Sequence, residues 1–295
     1  MKVAVTAASG RLGHAILKKL ADKLGPEQVI GVARSPERIE IPDIEKRSGD
    51  YQSIEELTEA FRDVDTAIMI SAPVTPGTDR VVMHRNVIQA AKQAGVRKLI
   101  YTSVIGNGDE AGTNFFATQQ VNRQAEQDLE ESGLDWIVGR NGLYLELDLA
   151  HIIRADAAGV YGNNGGSGRC GYITIDELAC AFTELANSDR CNGQVLNLVG
   201  ENRTQAELIE LANEVFGINV EYRPITVEQC VDKFMADETI AARGEEVARM
   251  LAGCFQCIEK GAFDVPSDFE RAAGRPAKST REQMQDVRRQ REQAA

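Results

Sequence analysis

Thr6-Ala7-Ala8-Ser9-Gly10-Arg11-Leu12-Gly13 is the stretch whose residue types and spacing carry the clearest chemical meaning. It follows the apolar run Val3–Val5 and leads into a segment where Leu12, Ile16, Leu20 and Leu24 recur every fourth residue, so it reads as a turn from strand to helix. Backbone N–H groups at a helix N-terminus attract anions, and only small side chains let a pyrophosphate reach them. Ala7, Ala8, Ser9 and Gly10 are all small. A simple tight turn would also be Gly-rich, and it is the position at the first strand of an alternating chain that favours a dinucleotide-binding turn.

In the usual dinucleotide fold an acid after the second strand holds the ribose 2′-hydroxyl, whereas here Val29–Ala33 is followed by Arg34. A guanidinium pairs with a 2′-phosphate through two charge-assisted bonds, so NADP(H) is expected in preference to NAD(H). The plain alternative is a solvated surface arginine. Six cysteines are scattered along the chain, and only Cys254-Phe255-Gln256-Cys257 has a suggestive spacing. Without a second pair or histidines it reads as two structural thiols one helical turn apart, and no metal is expected.

The elements that must position these residues follow from the hydrophobic pattern. Continuous apolar runs at Val3–Val5, Val29–Ala33, Ala67–Ile70, Leu99–Tyr101, Trp136–Val138 and Val195–Val199 alternate with segments of helical period at 54–61, 81–94 and 121–129. This is the signature of an α/β fold, a Rossmann-type doubly wound parallel sheet with crossover helices, here with a smaller C-terminal α/β part on the substrate side. We expect residues 1–150 to form the dinucleotide-binding domain and 151–295 the smaller part, with segments near 176–200 returning to the sheet. The Gly/Asn-rich residues 162–168 read as a loop, Asp176 and Thr204 as helix N-caps, the latter with Glu207 in a capping box, and Val220–Tyr222 as a strand. The segment from Ser279 reads as an exposed helix or a frayed tail.

A net charge of −12 repels phosphate backbones, so direct nucleic-acid binding is not expected, the one basic candidate being Arg281 to Arg291. The opening residues lack a signal-peptide pattern and no apolar stretch is long enough to span a bilayer, which leads to the expectation of a cytoplasmic protein without membrane partners, a monomer or homodimer acting on a small molecule.

Further motifs extend the pattern: Ala33-Arg34-Ser35-Pro36, Gly49-Asp50-Tyr51, Arg85-Asn86-Val87-Ile88, Tyr101-Thr102-Ser103, Arg140-Asn141-Gly142-Leu143-Tyr144 and Gly193 to Gly200. With the 6–13 turn they resemble, over nearly the whole chain, the NmrA-like family of atypical short-chain dehydrogenases/reductases, of the NADPH:quinone oxidoreductase and triphenylmethane reductase type. The resemblance implies that Ala7, Ala8, Ser9, Gly10, Arg11 and Leu12 hold the pyrophosphate, Arg34 the 2′-phosphate and Asp50 the adenine side. It also implies that Ser71, Ala72 and Pro73 line the nicotinamide ribose and that Asn141, Gly142 and Tyr144 border nicotinamide and substrate. Ala7 stands where the family usually has Gly, at a cost of roughly 1 kcal/mol if the position requires a positive φ.

A second departure is chemical. No Tyr is followed four residues later by Lys, and no Lys occurs between Leu99 and Asp232. The Tyr/Lys acid pair of ordinary short-chain dehydrogenases is therefore absent. Ketone reduction builds alkoxide charge that demands a positioned acid, whereas a quinone or cationic dye disperses or neutralises the incoming charge. The expected activity is hydride transfer from NAD(P)H to such a delocalised acceptor, with Ser103, Asn141 and Tyr144 as orienting hydrogen-bond partners rather than essential proton donors. The regulatory members of the same family offer an alternative, a non-catalytic NAD(P)-binding redox sensor.

Overall fold

In the computed structural model, which describes residues 1–75 and 77–294, seven parallel strands form one sheet. They are β1 (Val3–Val5), β2 (Val29–Ala33), β3 (Glu45–Ser48), β4 (Thr66–Ile70), β5 (Lys98–Val104), β6 (Asp135–Asn141) and, after two short strands β7 (Val160–Asn163) and β8 (Arg169–Gly171), β9 (Gln194–Leu198). Their spatial order is β3-β2-β1-β4-β5-β6-β9, so the winding reverses between β1 and β4. Ligands of open α/β sheets bind at the carboxyl ends of the strands at such a reversal.

Burial on both faces explains why the strands are continuously apolar. Val3, Val5, Ile68, Ile100 and Ile137 pack beneath α1 (Arg11–Leu24), while Ala4, Ala67, Met69, Leu99, Tyr101 and Val138 point the other way, beneath α2 (Ile54–Ala60), α3 (Arg80–Gln93) and α4 (Phe116–Glu130). Strand β3 was not expected from the sequence. Its residues Glu45-Lys46-Arg47-Ser48 lie on the sheet edge, where charge blocks further pairing, and Arg47 donates to the carbonyls of Ala60 and Arg62.

The remaining helices are α5 (Leu145–Arg154), α6 (Ile175–Ala186), α7 (Gln205–Phe216), α8 (Val227–Met235), α9 (Glu238–Ala241), α10 (Glu245–Glu259), α11 (Phe269–Ala273) and α12 (Thr280–Ala294). Of these, α6 packs beside α1 on the central sheet, whereas α5, α7, α8 and α10 enclose a separate core with Tyr161, Cys170 and Tyr172. Two small sheets flank that core: β8 pairs with β10 (Asn202–Thr204) and β7 with β11 (Glu221–Pro224).

Three expectations are corrected. The N-cap of α6 is Thr174, whose hydroxyl accepts from the Glu177 amide, and Asp176 sits inside the first turn. The reading of 162–168 as a loop fails at Gly162 and Asn163, which end β7 because β11 supplies a parallel partner. The tail is neither frayed nor a wholly exposed helix. Met284 and Val287 of α12 are buried in the second core, and Gln283 accepts from the Thr174 amide and donates to the Lys278 carbonyl. Arg281, Arg288 and Arg289 pair with Glu214, Glu292 and Asp286. Among the described residues no helix is long and apolar enough to cross a membrane.

Candidate active site at the carboxyl edge of the sheet

The turn after β1 exposes helix amides and no competing cap. Gly10 is the N-cap of α1 with no side-chain hydrogen bond and no acid in the first turn, whereas α2, α3, α6, α7 and α8 are capped by Ser53, Asp79, Thr174, Thr204 and Thr226. The amides of the first turn and the positive end of the helix dipole are therefore left for an anion. The turn is closed by the Gly10 amide on the Ala7 carbonyl (3.0 Å) and the Ala8 amide on the Val32 carbonyl (3.1 Å).

Ala7 adopts φ +47°, the conformation that its departure from the family pattern made critical. A left-handed alanine costs about 1–2 kcal/mol. Gly13, a position the sequence reading left without a role, has no such freedom. A Cβ there would lie 2.7 Å from the Ala7 carbonyl oxygen and 3.0 Å from the Ala8 Cα, so helix and turn can approach only through glycine.

Arg34 is exposed at the end of β2. Asp50 lies on the adjacent turn after β3, where its carboxylate accepts from the Gln52 amide (2.9 Å), and the Gly49 amide donates to the Ala33 carbonyl (3.1 Å). Thr6 ties β1 to β4: its hydroxyl oxygen accepts from the Ile70 amide (3.1 Å) and hydrogen-bonds the buried Tyr51 phenol, which donates to the Ile70 carbonyl (2.7 Å).

The Ser71-Ala72-Pro73 segment follows β4 and is held by residues that sequence reading missed. Arg80 donates from Nε to the Ala72 carbonyl (2.8 Å) and from Nη2 to the Ser71 hydroxyl (2.9 Å) and Asn122 Oδ1 (3.1 Å). The Tyr101 phenol donates to the same Asn122 oxygen (2.8 Å). The Ala72 amide donates to His84 Nε2 (2.9 Å), so the ring proton lies on Nδ1. Burial, seconded by the Arg80 charge, holds His84 down to about 3, and it stays neutral. The segment is thus a rigid wall. Its residues come from α3, α4 and β5, and no local spacing announces them.

Ser103 is diverted from the acceptor. Its hydroxyl donates to Glu126 (2.6 Å), a buried carboxylate that also receives Arg140 Nη2 (2.6 Å) and Arg123 Nη1 (2.5 Å). The face of α4 toward β5 carries Gln119, Asn122, Arg123 and Glu126, with no Tyr/Lys pair.

At the end of β6, Asn141 is buried and its Oδ1 is a buried acceptor with no hydrogen-bond partner among the described residues. The glycine at 142 answers to packing, since a Cβ would lie 2.3 Å from the Gly171 carbonyl oxygen. Tyr144 is half-buried against the core beneath α1 and bridges Ile173 through the backbone. Burial raises its phenol, with neighbouring Asn141 opposing, so it is a neutral donor. Glu146 accepts from the Ile175 amide (2.8 Å), and burial raises its carboxyl too.

The structure therefore brings Ala7–Leu12, Arg34, Asp50, Ser71–Pro73 and Asn141–Tyr144 to one edge of the sheet, with Ser103 turned into a neighbouring ion network. Cys254 and Cys257 lie apart from it on α10. Cys254 contacts the Met250 carbonyl and Cys257 the Thr113 hydroxyl, and burial pushes the Cys257 thiol up to about 11. All six thiols are free.

Residues 7–154 match the family described as NAD(P)H-binding. Quinone oxidoreductase 2 of Escherichia coli is 28% identical over 287 residues, covering 96% of this chain and 97% of its own. An NmrA-like family domain-containing oxidoreductase of Aspergillus flavus is 29% identical over 238 residues, 79% of this chain and 77% of its own. The crystal structure of Citrobacter sp. triphenylmethane reductase complexed with NADP(H) superposes with a TM-score of 0.84 at 27% identity, covering 97% of this chain and 99% of that one.

Proposed function

Since the chain belongs to the NAD(P)H-binding family, among its NmrA-like oxidoreductases, we propose that it reduces a small delocalised acceptor, a quinone or a dye, with NADPH preferred over NADH. The observation that carries the reading is the uncapped α1 N-terminus at the reversal of the sheet, with Ala7 and Gly13 shaping a cradle that fits a pyrophosphate.

Arg34, exposed beside this cradle, is the residue for a 2′-phosphate. Arg34→Asp is expected to weaken NADPH binding by about 2–3 kcal/mol, since repulsion replaces a charge-assisted pair, and to leave NADH nearly unaffected. Titration of both cofactors decides it; equal losses would remove Arg34 from the site.

When bound, the dihydronicotinamide supplies a hydride. The chain's residues do the rest: Arg80 and His84 hold the Ser71–Pro73 wall, and Asn141 offers its free acceptor. Tyr144 presents a neutral hydroxyl, and the part beyond residue 150 reaches over the wall through Arg243, which donates to the Val74 carbonyl (3.3 Å). Proximity and water exclusion then carry the rate. Ser103 acts at one remove, through Glu126.

Tyr144→Phe and Ser103→Ala are expected to slow turnover about two- to tenfold, the worth of one hydrogen bond of about 0.5–1.5 kcal/mol. A loss of about a thousandfold on Tyr144→Phe would make it a true general acid and point to carbonyl substrates instead. Steady-state NADPH oxidation against a panel of quinones, triphenylmethane dyes and ketones tests the whole reading. Turnover confined to ketones would sink it, and tight NADPH binding without turnover on any acceptor would indicate a sensor.

A further inference from the structure

The first residue of α3 brings an unneutralised cation to the Ser71–Pro73 wall. Arg80 donates from Nε to the Ala72 carbonyl (2.8 Å) and from Nη2 to the Ser71 hydroxyl (2.9 Å) and Asn122 Oδ1 (3.1 Å), so each of these acceptors is uncharged. Among the described residues no carboxylate pairs with it. Its neighbour Asp79 is committed to the Val81 and Val82 amides (2.9 and 3.2 Å) as the cap of α3. The remaining nitrogen, Nη1, has no partner among the described residues and is not enclosed, so it opens to solvent.

The wall lies on the same carboxyl edge as Asn141. The Ser71 amide donates to the Thr102 hydroxyl of β5 (3.0 Å), Val104 of β5 stands opposite Asn141 in register, and the Ile105 amide donates to the Asn141 carbonyl (3.0 Å). Two strand spacings, about 10 Å, separate β4 from β6, a distance over which a charge that nothing neutralises still acts. The other guanidiniums beside these strand ends are compensated. Arg123 and Arg140 share Glu126, and Glu110 lies near Arg123. With no Lys between Leu99 and Asp232, the free positive charge at this wall comes from α3. Its field is already felt there, since it helps to keep His84 neutral. A partly buried cation without a counter-ion gains most from an anion.

We propose that Arg80 sets the acceptor class: its guanidinium stabilises the negative charge that develops on a quinone and disfavours cationic dyes. This rests on the reductase reading above. A neutral quinone that accepts hydride gains two electrons and a proton, the dihydronicotinamide is oxidised, and the product is a hydroquinone monoanion that takes its second proton from water. Negative charge therefore appears beside a fixed cation, as transition-state stabilisation requires. A triphenylmethane cation is discharged by the same hydride to a neutral product. For it the guanidinium only opposes binding.

The test compares kcat/KM for naphthoquinone sulfonate, benzoquinone and crystal violet, an anionic, a neutral and a cationic acceptor, in wild type, Arg80→Gln and Arg80→Lys. Arg80→Gln should lower the sulfonated quinone by about tenfold or more, the worth of one charge-assisted contact, and benzoquinone by less, while crystal violet holds or rises. Arg80→Lys should keep the wild-type order of the three, because the charge remains although the planar fork is lost. A purely structural role in holding the wall would lower all three alike in both variants. Calorimetry supplies a readout without turnover and without any variant. Wild type saturated with NADP+ should bind hydroquinone sulfonate about tenfold more tightly than hydroquinone, although the net charge of −12 favours the opposite order. Equal losses on the three acceptors in Arg80→Gln, or equal affinities for the two hydroquinones, would overturn the assignment. A wild type inactive on every acceptor would overturn the reductase reading, and this inference with it.

Discussion

Gly10→Val is expected to abolish NADPH binding while leaving the protein folded. Gly10 is exposed with φ −84° and ψ 163°, extended backbone in which a β-branched residue is at ease, and a Cβ there meets only the Ala7 carbonyl oxygen, at 3.2 Å. The added side chain instead stands before the uncapped amides of α1, in the space a phosphate must enter. Losing the pyrophosphate contacts should weaken binding by about a thousandfold or more, about 4 kcal/mol. Titration with NADPH, paired with thermal unfolding of the free protein, separates the two effects. Affinity within tenfold of wild type would place the pyrophosphate elsewhere. Gly13→Ala is the informative contrast, because its Cβ would strike backbone at 2.7 Å and disturb fold and binding together.

Glu126→Ala is expected to cost about 3–5 kcal/mol of stability, because it strips the shared anion from two guanidiniums packed between α4, β5 and β6. The lower end is favoured, since the side chains of Arg123 and Arg140 keep 22% and 23% of their exposure and water can partly replace the carboxylate. Denaturant unfolding measures it directly. By contrast, removing Asp128 from its pair with the exposed Arg85 should cost far less than Glu126→Ala, because water screens that pair. A loss below about 1 kcal/mol for Glu126→Ala would mean that the network is solvated and that the Ser103 hydroxyl is free to turn toward an acceptor.

What the sequence by itself determined are the features encoded locally. Strands buried on both faces must be continuously apolar, and the turn at 6–13 must be small to bring a phosphate to helix amides, so both are legible in consecutive residues. The Thr204–Glu207 capping box was readable for the same reason. Strand β3 was not, because an edge strand bearing Glu45, Lys46 and Arg47 has no apolar pattern and exists only through pairing with β2. Thr174 displaced Asp176 as a cap because the chain enters α6 from the bridge to Tyr144, two residues earlier than composition suggested. Only the tertiary structure decided the working surroundings of the site. Arg80, His84, Tyr101 and Asn122 meet at the Ser71–Pro73 wall from three elements, and Glu126 claims Ser103 across 23 residues. Hydrogen bonds between side chains on different elements depend on how helices seat on strands, and that seating is settled by burial over the whole domain rather than by any spacing along the chain.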